Sequence, residues 1–389
     1  MAVGVVLRSH AGGYLVYLPE HDLTLQCQAR GRLKKERVSI LTGDRVEIED
    51  LDSAQDSGVI STRLERSSLL SRPQIANVDQ VVIVQAVRQP EWNQLWCDRY
   101  IVHFQLELPD SVPVLCFNKC DLVGSDQQER LCRIYESLGY RVVMVSAKTS
   151  HGIEGLLDIL GNKITVFAGP SGVGKSSLLN RLEPSLNLKI GVMDHDFGVG
   201  RHTTTYSEIY RVHLDKWNIA DPDRLTWVAD TPGFNLAELR HPDPHDLVFE
   251  FPEIRELSEG CRFSNCMHLV EAGCNVLEKL SSDDSESDED EADDNAIIVS
   301  RERYANYVTM VNESIAEHNI RKETSQKKES AVKTVGGKRG KSINIPRLSG
   351  KYRAKSRRTE KQDLEVDIPD EAEFTELEAD LDKPTKQDK

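Results

Sequence analysis

Long apolar runs are missing from this chain: nowhere in its 389 residues does one approach the roughly 18 that a membrane-crossing helix needs. The opening MAVGVVLRSHAGGYLVYLPEHD also lacks a basic region, apolar core and small-residue cleavage site in succession, so an unexported, soluble protein is expected. Cysteine is sparse and uneven. Cys27, Cys97, Cys116, Cys120 and Cys132 are scattered, while Cys261, Cys266 and Cys274 gather around His268. That pattern indicates reduced thiols plus one metal site in a cytoplasm-like compartment. A formal charge of −15 would argue against nucleic acid if it were evenly spread. It is not: residues 283 to 294 (DDSESDEDEADD) hold nine acids in twelve positions, and 363 to 389 hold eleven acids against three lysines. Between them, 321 to 361 hold fifteen Lys and Arg against three Glu. This basic stretch has few aromatics, so it suits phosphate contacts rather than base stacking; folding back onto its acidic flanks is the competing reading.

The length exceeds one ordinary core, and two or three domains with a tail are expected. The first seventy residues read as short strands punctuated by glycine: VGVVLR, GYLVYL, LTLQCQARGRL, GDRVEIED and GVISTRLE. They predict a small antiparallel barrel, with an OB-fold one of several possibilities. From Val78 apolar runs at 80 to 86, 112 to 117, 141 to 145 and 163 to 168 alternate with helix-like stretches near 97 to 107, 126 to 137, 152 to 160 and 176 to 182. Continuous apolar strands separated by helices predict a parallel sheet covered on both faces, hence an α/β domain. Further strands are expected at 206 to 214 and 225 to 229, helical pieces follow Pro242, and 301 to 318 is amphipathic. After Arg321 the chain is poor in large apolar residues and is expected to be disordered alone.

Gly169, Pro170, Ser171, Gly172, Val173, Gly174, Lys175 and Ser176 spell GxxxxGK[ST] after a predicted strand and into the predicted helix over 176 to 182, whose second residue is Ser177. Such glycines let backbone N–H groups turn inward around phosphate oxygens, with Lys175 neutralising the outer phosphates and the Ser176 hydroxyl ligating Mg²⁺. The base is chosen by Asn118, Lys119, Cys120 and Asp121 at the end of another strand. The Asp121 carboxylate can accept from guanine N1–H and the exocyclic amine, donors that adenine lacks, while Asn118 faces the N7/O6 side and the Lys119 stem covers the ring. Ser146, Ala147 and Lys148 end a third strand, where the Ala147 N–H can reach guanine O6. After LTWVA, Asp230 of DTPG can hold Mg²⁺ through water and the Gly233 N–H can reach the γ-phosphate. One threonine of Gly200-Arg201-His202-Thr203-Thr204-Thr205 should meet the metal and the γ-phosphate, and Thr204 is favoured. The residue after DTPG is Phe234, which cannot orient a water, so another group must. His202 is the nearest candidate in sequence.

Cys261, Cys266, His268 and Cys274 offer three thiolates and one imidazole within fourteen residues, the ligand set of a closed, tetrahedral structural zinc with no open catalytic position. The order of the nucleotide motifs is unusual. Ordinary small GTPases run phosphate loop, switch threonine, DxxG, NKxD, SAK; here NKCD and SAK come first. This circular permutation, with GPSGVGKSS, GRHTTT, DTPGF, a glycine-rich barrel ahead and a Cys/His cluster behind, closely resembles the RsgA (YjeQ) family over about residues 1 to 320. The resemblance implies an OB-fold over 1 to 72, a permuted GTPase over 73 to 238, and a zinc domain over 239 to 322 carrying the acidic insertion. A basic, then acidic, tail over 323 to 389 departs from the family pattern. The resemblance also implies a cytoplasmic monomer that binds the small ribosomal subunit and its RNA when loaded with GTP, and it supports His202 as the water-orienting group. The rival readings are a permuted GTPase serving another RNA-containing complex and a nucleotide-gated RNA-binding module with incidental hydrolysis. Turnover with and without small subunits separates them.

Overall fold

The structure, a computed structural model, describes residues 2–10, 13–52, 55–188, 208–217, 225–230, 243–282, 299–327, 332–336 and 342–346. They divide into two units, Met1–His318 and Asn319–Lys389. His202, Thr204 and Gly233 lie outside the described residues, as do Phe234 and the acidic run.

The first unit opens with β1 (Ala2–His10), β2 (Gly13–Leu18), β3 (Leu23–Ala29), a short helix α1 (Gly31–Lys35), β4 (Arg45–Asp52) and β5 (Ser57–Arg63). These strands close a barrel in the order β1-β2-β3-β5-β4. Alternate residues such as Val6, Val16, Leu25, Val46, Ile48 and Ile60 fill its interior. The expectation of an antiparallel barrel needs one correction, because β3 and β5 pair in parallel. Closure requires it: α1 carries the chain over to β4, and β5 then returns alongside β3. A two-stranded ribbon of β6 (Leu69–Leu70) and β7 (Ile75–Ala76) follows the barrel.

Next come β8 (Gln80–Ala86), α2 (Gln94–Glu107), β9 (Val114–Asn118), α3 (Ser125–Glu136), β10 (Val142–Met144), α4 (Ile153–Leu160), β11 (Ile164–Ala168), α5 (Lys175–Leu182), β12 (Ile209–Val212) and β13 (Thr226–Asp230). The sheet runs β10-β9-β8-β11-β13-β12 and is parallel except for the edge pair β12 and β13. Every residue of β8, β9 and β11 is buried, which is why these strands read as unbroken apolar runs. Val81, Ile83, Leu115 and Phe117 pack beneath Tyr100 and Phe104 of α2 and Leu131 and Tyr135 of α3. Val82, Val84 and Cys116 face Leu156 and Leu160 of α4 and Leu178 and Leu182 of α5.

Downstream lie α6 (Pro252–Ser258), α7 (Asn275–Ser282) and α8 (Arg301–Lys327), α6 having proline at its first position, where the missing N–H costs nothing. Phe251, Ile254, Val276, Tyr307, Met310 and Val311 form their core, joined by Val102 of α2. The second unit contains an antiparallel ribbon, β14 (Val332–Gly336) with β15 (Ser342–Pro346).

Candidate nucleotide site and metal cluster

The parallel strands end together, and the motifs sit on those ends. NKCD begins on the last residue of β9, SAK follows β10, the phosphate loop follows β11, and Asp230 closes β13. Loops at the carboxyl edge of such a sheet form its natural ligand crevice.

The glycines of the phosphate loop are dictated by geometry at two positions. A Cβ on Gly169, at φ 146°, would lie 2.1 Å from the Val84 carbonyl, and one on Gly174, at φ 95°, would lie 2.4 Å from Asn118 Nδ2. Phosphate loop and base motif therefore touch directly. Asn118, 1% exposed, donates from Nδ2 to the Val173 carbonyl at 2.9 Å, and its Oδ1 accepts from Lys119 N at 2.8 Å and Ala147 N at 3.1 Å. The Ala147 N–H is thus directed at Asn118 here, whereas the sequence reading directs it at guanine O6. Lys119, at a positive φ of 63°, donates from Nζ to the Gly172 carbonyl at 2.8 Å and also to that of Gln89. The Ser146 hydroxyl donates to Asp121 Oδ1 at 2.6 Å and accepts from Thr149 N at 3.1 Å, which fixes the carboxylate. Cys120 turns inward and is buried.

Lys175 donates to the carbonyls of Gly169 at 2.7 Å and Pro170 at 2.9 Å, and burial pulls its ammonium down to about 8 while Asp230 opposes the shift. Ser176 Oγ donates to Asp230 Oδ2 at 3.1 Å. Burial raises the Asp230 carboxyl, with Lys175 and the Ser176 hydrogen bond working against it. Its other oxygen, Oδ1, is buried without a hydrogen-bond partner among the described residues. A hydroxyl and a buried, incompletely satisfied carboxylate side by side form a hard oxygen donor set that fits Mg²⁺. Beside these groups opens a cleft of about 510 Å³ lined by Asn118, Lys119, Asp121, Ser146, Ala147 and Lys148 together with Gly174 and Ser177. Gln89, Asn180 and Arg181 also line it, and sequence reading missed all three. The available signal was helical spacing, since Arg181 stands one turn beyond Ser177 on α5.

Some distance along the chain, Cys261, Cys266, His268 and Cys274 bring one donor atom each to within 4.8 Å of one another. Cys261 Sγ lies 3.6 Å and Cys274 Sγ 3.4 Å from His268 Nδ1, and the two sulfurs are 3.9 Å apart. A tetrahedral zinc with bonds of about 2.0 to 2.3 Å separates its ligand atoms by roughly 3.5 to 3.8 Å, so the donor set fits. The loop is shaped for this by Glu271, which accepts from the N–H groups of Met267 at 2.8 Å, Leu269 at 2.9 Å and Val270 at 3.0 Å. From α8, the Tyr304 and Tyr307 hydroxyls donate to the carbonyls of His268 and Met267 at 2.7 and 2.9 Å.

The sequence also gave no hint of a buried charge cluster joining the two regions. Arg303 of α8 donates to Glu253 of α6 at 2.5 Å and to Asp98 of α2, and Asp98 also accepts from the Tyr135 hydroxyl at 3.1 Å and Asn306 Nδ2 at 2.7 Å.

Comparison with known proteins places this arrangement. The RsgA GTPase family model matches residues 63–240, and the RsgA N-terminal domain model matches residues 3–60. The small ribosomal subunit biogenesis GTPase RsgA of Caldanaerobacter subterraneus subsp. tengcongensis is 36% identical over 310 residues, covering 80% of this chain and 95% of that protein. Its namesake from Moorella thermoacetica is 36% identical over 80% of this chain and 97% of its own length. Among solved structures, YjeQ from Thermotoga maritima superposes with a TM-score of 0.63 at 32% identity, covering 81% of this chain and 98% of that one. YloQ, a circularly permuted GTPase, superposes with a TM-score of 0.60 at 30% identity, covering 82% of this chain and 96% of that one. With its fold, its motif order and these relatives in agreement, the chain belongs to the RsgA family of circularly permuted GTPases.

Proposed function

We propose that this GTPase binds the small ribosomal subunit when loaded with GTP, assists its late maturation in the cytoplasm as a monomer, and hydrolyses GTP to leave it. The observation that carries the nucleotide half is the direct bonding among the motifs: Asn118 to Val173, Lys119 to Gly172, Ser146 to Asp121 and Ser176 to Asp230. Four loops so joined form one preorganised surface, in which phosphate and base are recognised together. The ribosomal half rests on the names of the relatives, which are small ribosomal subunit biogenesis GTPases.

In this reading Asp121, fixed by Ser146, selects guanine, with Asn118, Lys119, Cys120, Ala147 and Lys148 around the base. Residues 169 to 177 cradle the phosphates, with Lys175 as the cation, and Ser176 and Asp230 hold the magnesium, whose contribution is to offset phosphate charge. Gly233 and Thr204 complete the γ-phosphate shell, and His202 orients the attacking water because Phe234 cannot. Zinc held by Cys261, Cys266, His268 and Cys274 supplies folding energy. The barrel, the zinc region and the basic part of the tail, within 1 to 72, 239 to 322 and 323 to 389, meet ribosomal RNA and protein.

Cosedimentation with small subunits tests the reading. Binding with a non-hydrolysable GTP analogue should exceed binding with GDP, and turnover should rise strongly with small subunits alone. Equal binding in both nucleotide states removes the coupling, and equal turnover of ATP and GTP removes the guanine assignment. His202→Ala should slow subunit-stimulated hydrolysis by orders of magnitude at unchanged GTP affinity.

A further inference from the structure

Strand β12 stands between the nucleotide edge and the barrel. In sequence only Tyr206 and Ser207 separate Thr205 from Glu208, the residue before this strand. On its inner side it is registered on β13, with Ile209 opposite Ala229, next to the Asp230 that accepts from Ser176. On its outer side it meets the barrel twice. Glu208 forms an isolated antiparallel bridge and a 3.6 Å ion pair with Arg8 of β1. The Arg211 guanidinium lies 5.3 Å from the Tyr17 ring centre, donates to the Tyr17 hydroxyl at 2.9 Å, and pairs with Asp22. Tyr17 itself donates to Asp22 at 2.6 Å and meets Trp227 of β13 edge to face at 5.1 Å. Arg211 therefore sits where barrel, edge strand and the Asp230 strand cross.

The ion pairs among these contacts are poorly placed to stabilise the fold as a whole. The Asp22 side chain is 72% exposed, and exposed ion pairs contribute little in water. Their geometric effect is larger. As an edge strand, β12 has β13 as its only sheet neighbour among the described residues, so its tilt is set on the far side by what the barrel offers.

We propose that Arg211, clamped by Tyr17 and Asp22, is a positioning residue for GTP hydrolysis: through β12 the barrel sets the strand pair that ends at Asp230, and so tunes turnover. This rests on the GTPase activity alone and not on the ribosomal reading.

The test uses the full-length protein. Arg211→Ala and Asp22→Asn are each measured for kcat and KM with GTP and for GDP affinity with a fluorescent analogue. Expected is a fall in kcat of about fivefold or more with GDP affinity changed by less than about twofold, the pattern of a group that matters in the transition state. Arg211→Lys should fall between wild type and Arg211→Ala, and the swapped pair Asp22→Arg with Arg211→Asp should turn over faster than either single exchange. Should Arg211→Ala not fold, the exposed Asp22→Asn exchange carries the test. Unchanged kcat in the single variants overturns the proposal. So does a loss of GDP affinity equal to the loss of kcat, or a swapped pair no better than its singles.

Discussion

Replacing Arg303 with methionine keeps the length of the side chain and removes its charge. In the wild type the guanidinium pairs with Asp98 and with Glu253, and all three side chains are at most 3% exposed. Its centre also lies 5.6 Å from the Tyr135 ring and 5.1 Å from the Phe251 ring. Asp98 would retain Tyr135 and Asn306 as donors, but Glu253 would lose the 2.5 Å partner that compensates its burial. Stranding a buried carboxylate in this way costs about 3 to 5 kcal/mol. The loss should also depend on pH, with a definite sign. Burial already raises the Asp98 carboxyl to about 6, although Arg303 pulls it down, and without the cation it must rise further. A carboxyl whose folded pKa exceeds its unfolded value binds more protons when folded, so its stabilising contribution is complete in acid and fades as pH rises through the folded value. Unfolding of the zinc-loaded variant, followed by denaturant titration and by deuterium exchange in α6 and α8, should therefore show a smaller deficit at about pH 6 than at about pH 8. Adding Asp98→Asn should recover part of the deficit by removing one stranded charge. A deficit below about 1 kcal/mol, or one equal at both pH values, would refute the reasoning.

Three further outcomes follow from the site geometry. Gly174→Ala places a Cβ 2.4 Å from Asn118 Nδ2 at a φ of 95°, and should weaken GTP and GDP together by at least about tenfold in fluorescence titration; unchanged affinity contradicts it. Burial lowers Lys175 to about 8, and phosphate binding must raise it again, so GTP affinity should be flat below about pH 8 and fall above it in calorimetry. A Kd that stays constant to about pH 9.5 would dissociate Lys175 from phosphate. Cys266→Ser removes one of the four candidate metal ligands and should release zinc, detected by elemental analysis, and unfold the region after Asp243 more than it alters nucleotide affinity. Protein purified without chelator and lacking zinc would end that assignment.

What could be read in the sequence was whatever is encoded locally. The QVVIVQA run of β8 announces a strand buried on both faces, and it is buried at every position. The phosphate loop and NKCD are legible for a similar reason: a backbone that approaches Val84 and Asn118 this closely leaves Gly169 and Gly174 no side chain to vary. Helix α1 was absorbed into the preceding strand because GRLKK is five residues long and Leu33 is the one it buries. The parallel β3–β5 pair was invisible for a different reason, since barrel closure is a long-range decision that no window of sequence carries. Asp98 and Arg303 stand 205 residues apart, so no local window of sequence shows them as a pair. Arg211 and Asp22, 189 residues apart, hide in the same way.

These two long-range joints differ in strength, and the difference bears on how hydrolysis could move the molecule. The sequence passes from DTPGF toward the zinc region, which invites the idea that losing the γ-phosphate tilts that region and releases the ribosome. Yet the zinc region is fastened to the nucleotide-binding sheet by Arg303, Asp98 and Glu253 in a fully buried cluster, backed by Val102 of α2 within the core of α6 and α8. Separating it would strand charges at about 3 to 5 kcal/mol, comparable to the whole 4 kcal/mol or so that a thousandfold change in affinity represents. The barrel joint combines two partly exposed pairs, Arg8 with Glu208 and Arg211 with Asp22, which contribute little in water, with the buried edge-to-face contact of Tyr17 and Trp227. Sliding at the barrel joint strands no buried charge, so a rearrangement at Asp230 can shift the barrel against β12 at a smaller cost, whereas the zinc region can tilt only if α2 travels with it. Deuterium exchange comparing the GTP-analogue and GDP states should accordingly change at β1, at β12 and around Tyr17, and leave α2 and α8 protected alike in both. Opening of α8 at Arg303 in one nucleotide state alone would place the moving joint at the zinc region instead.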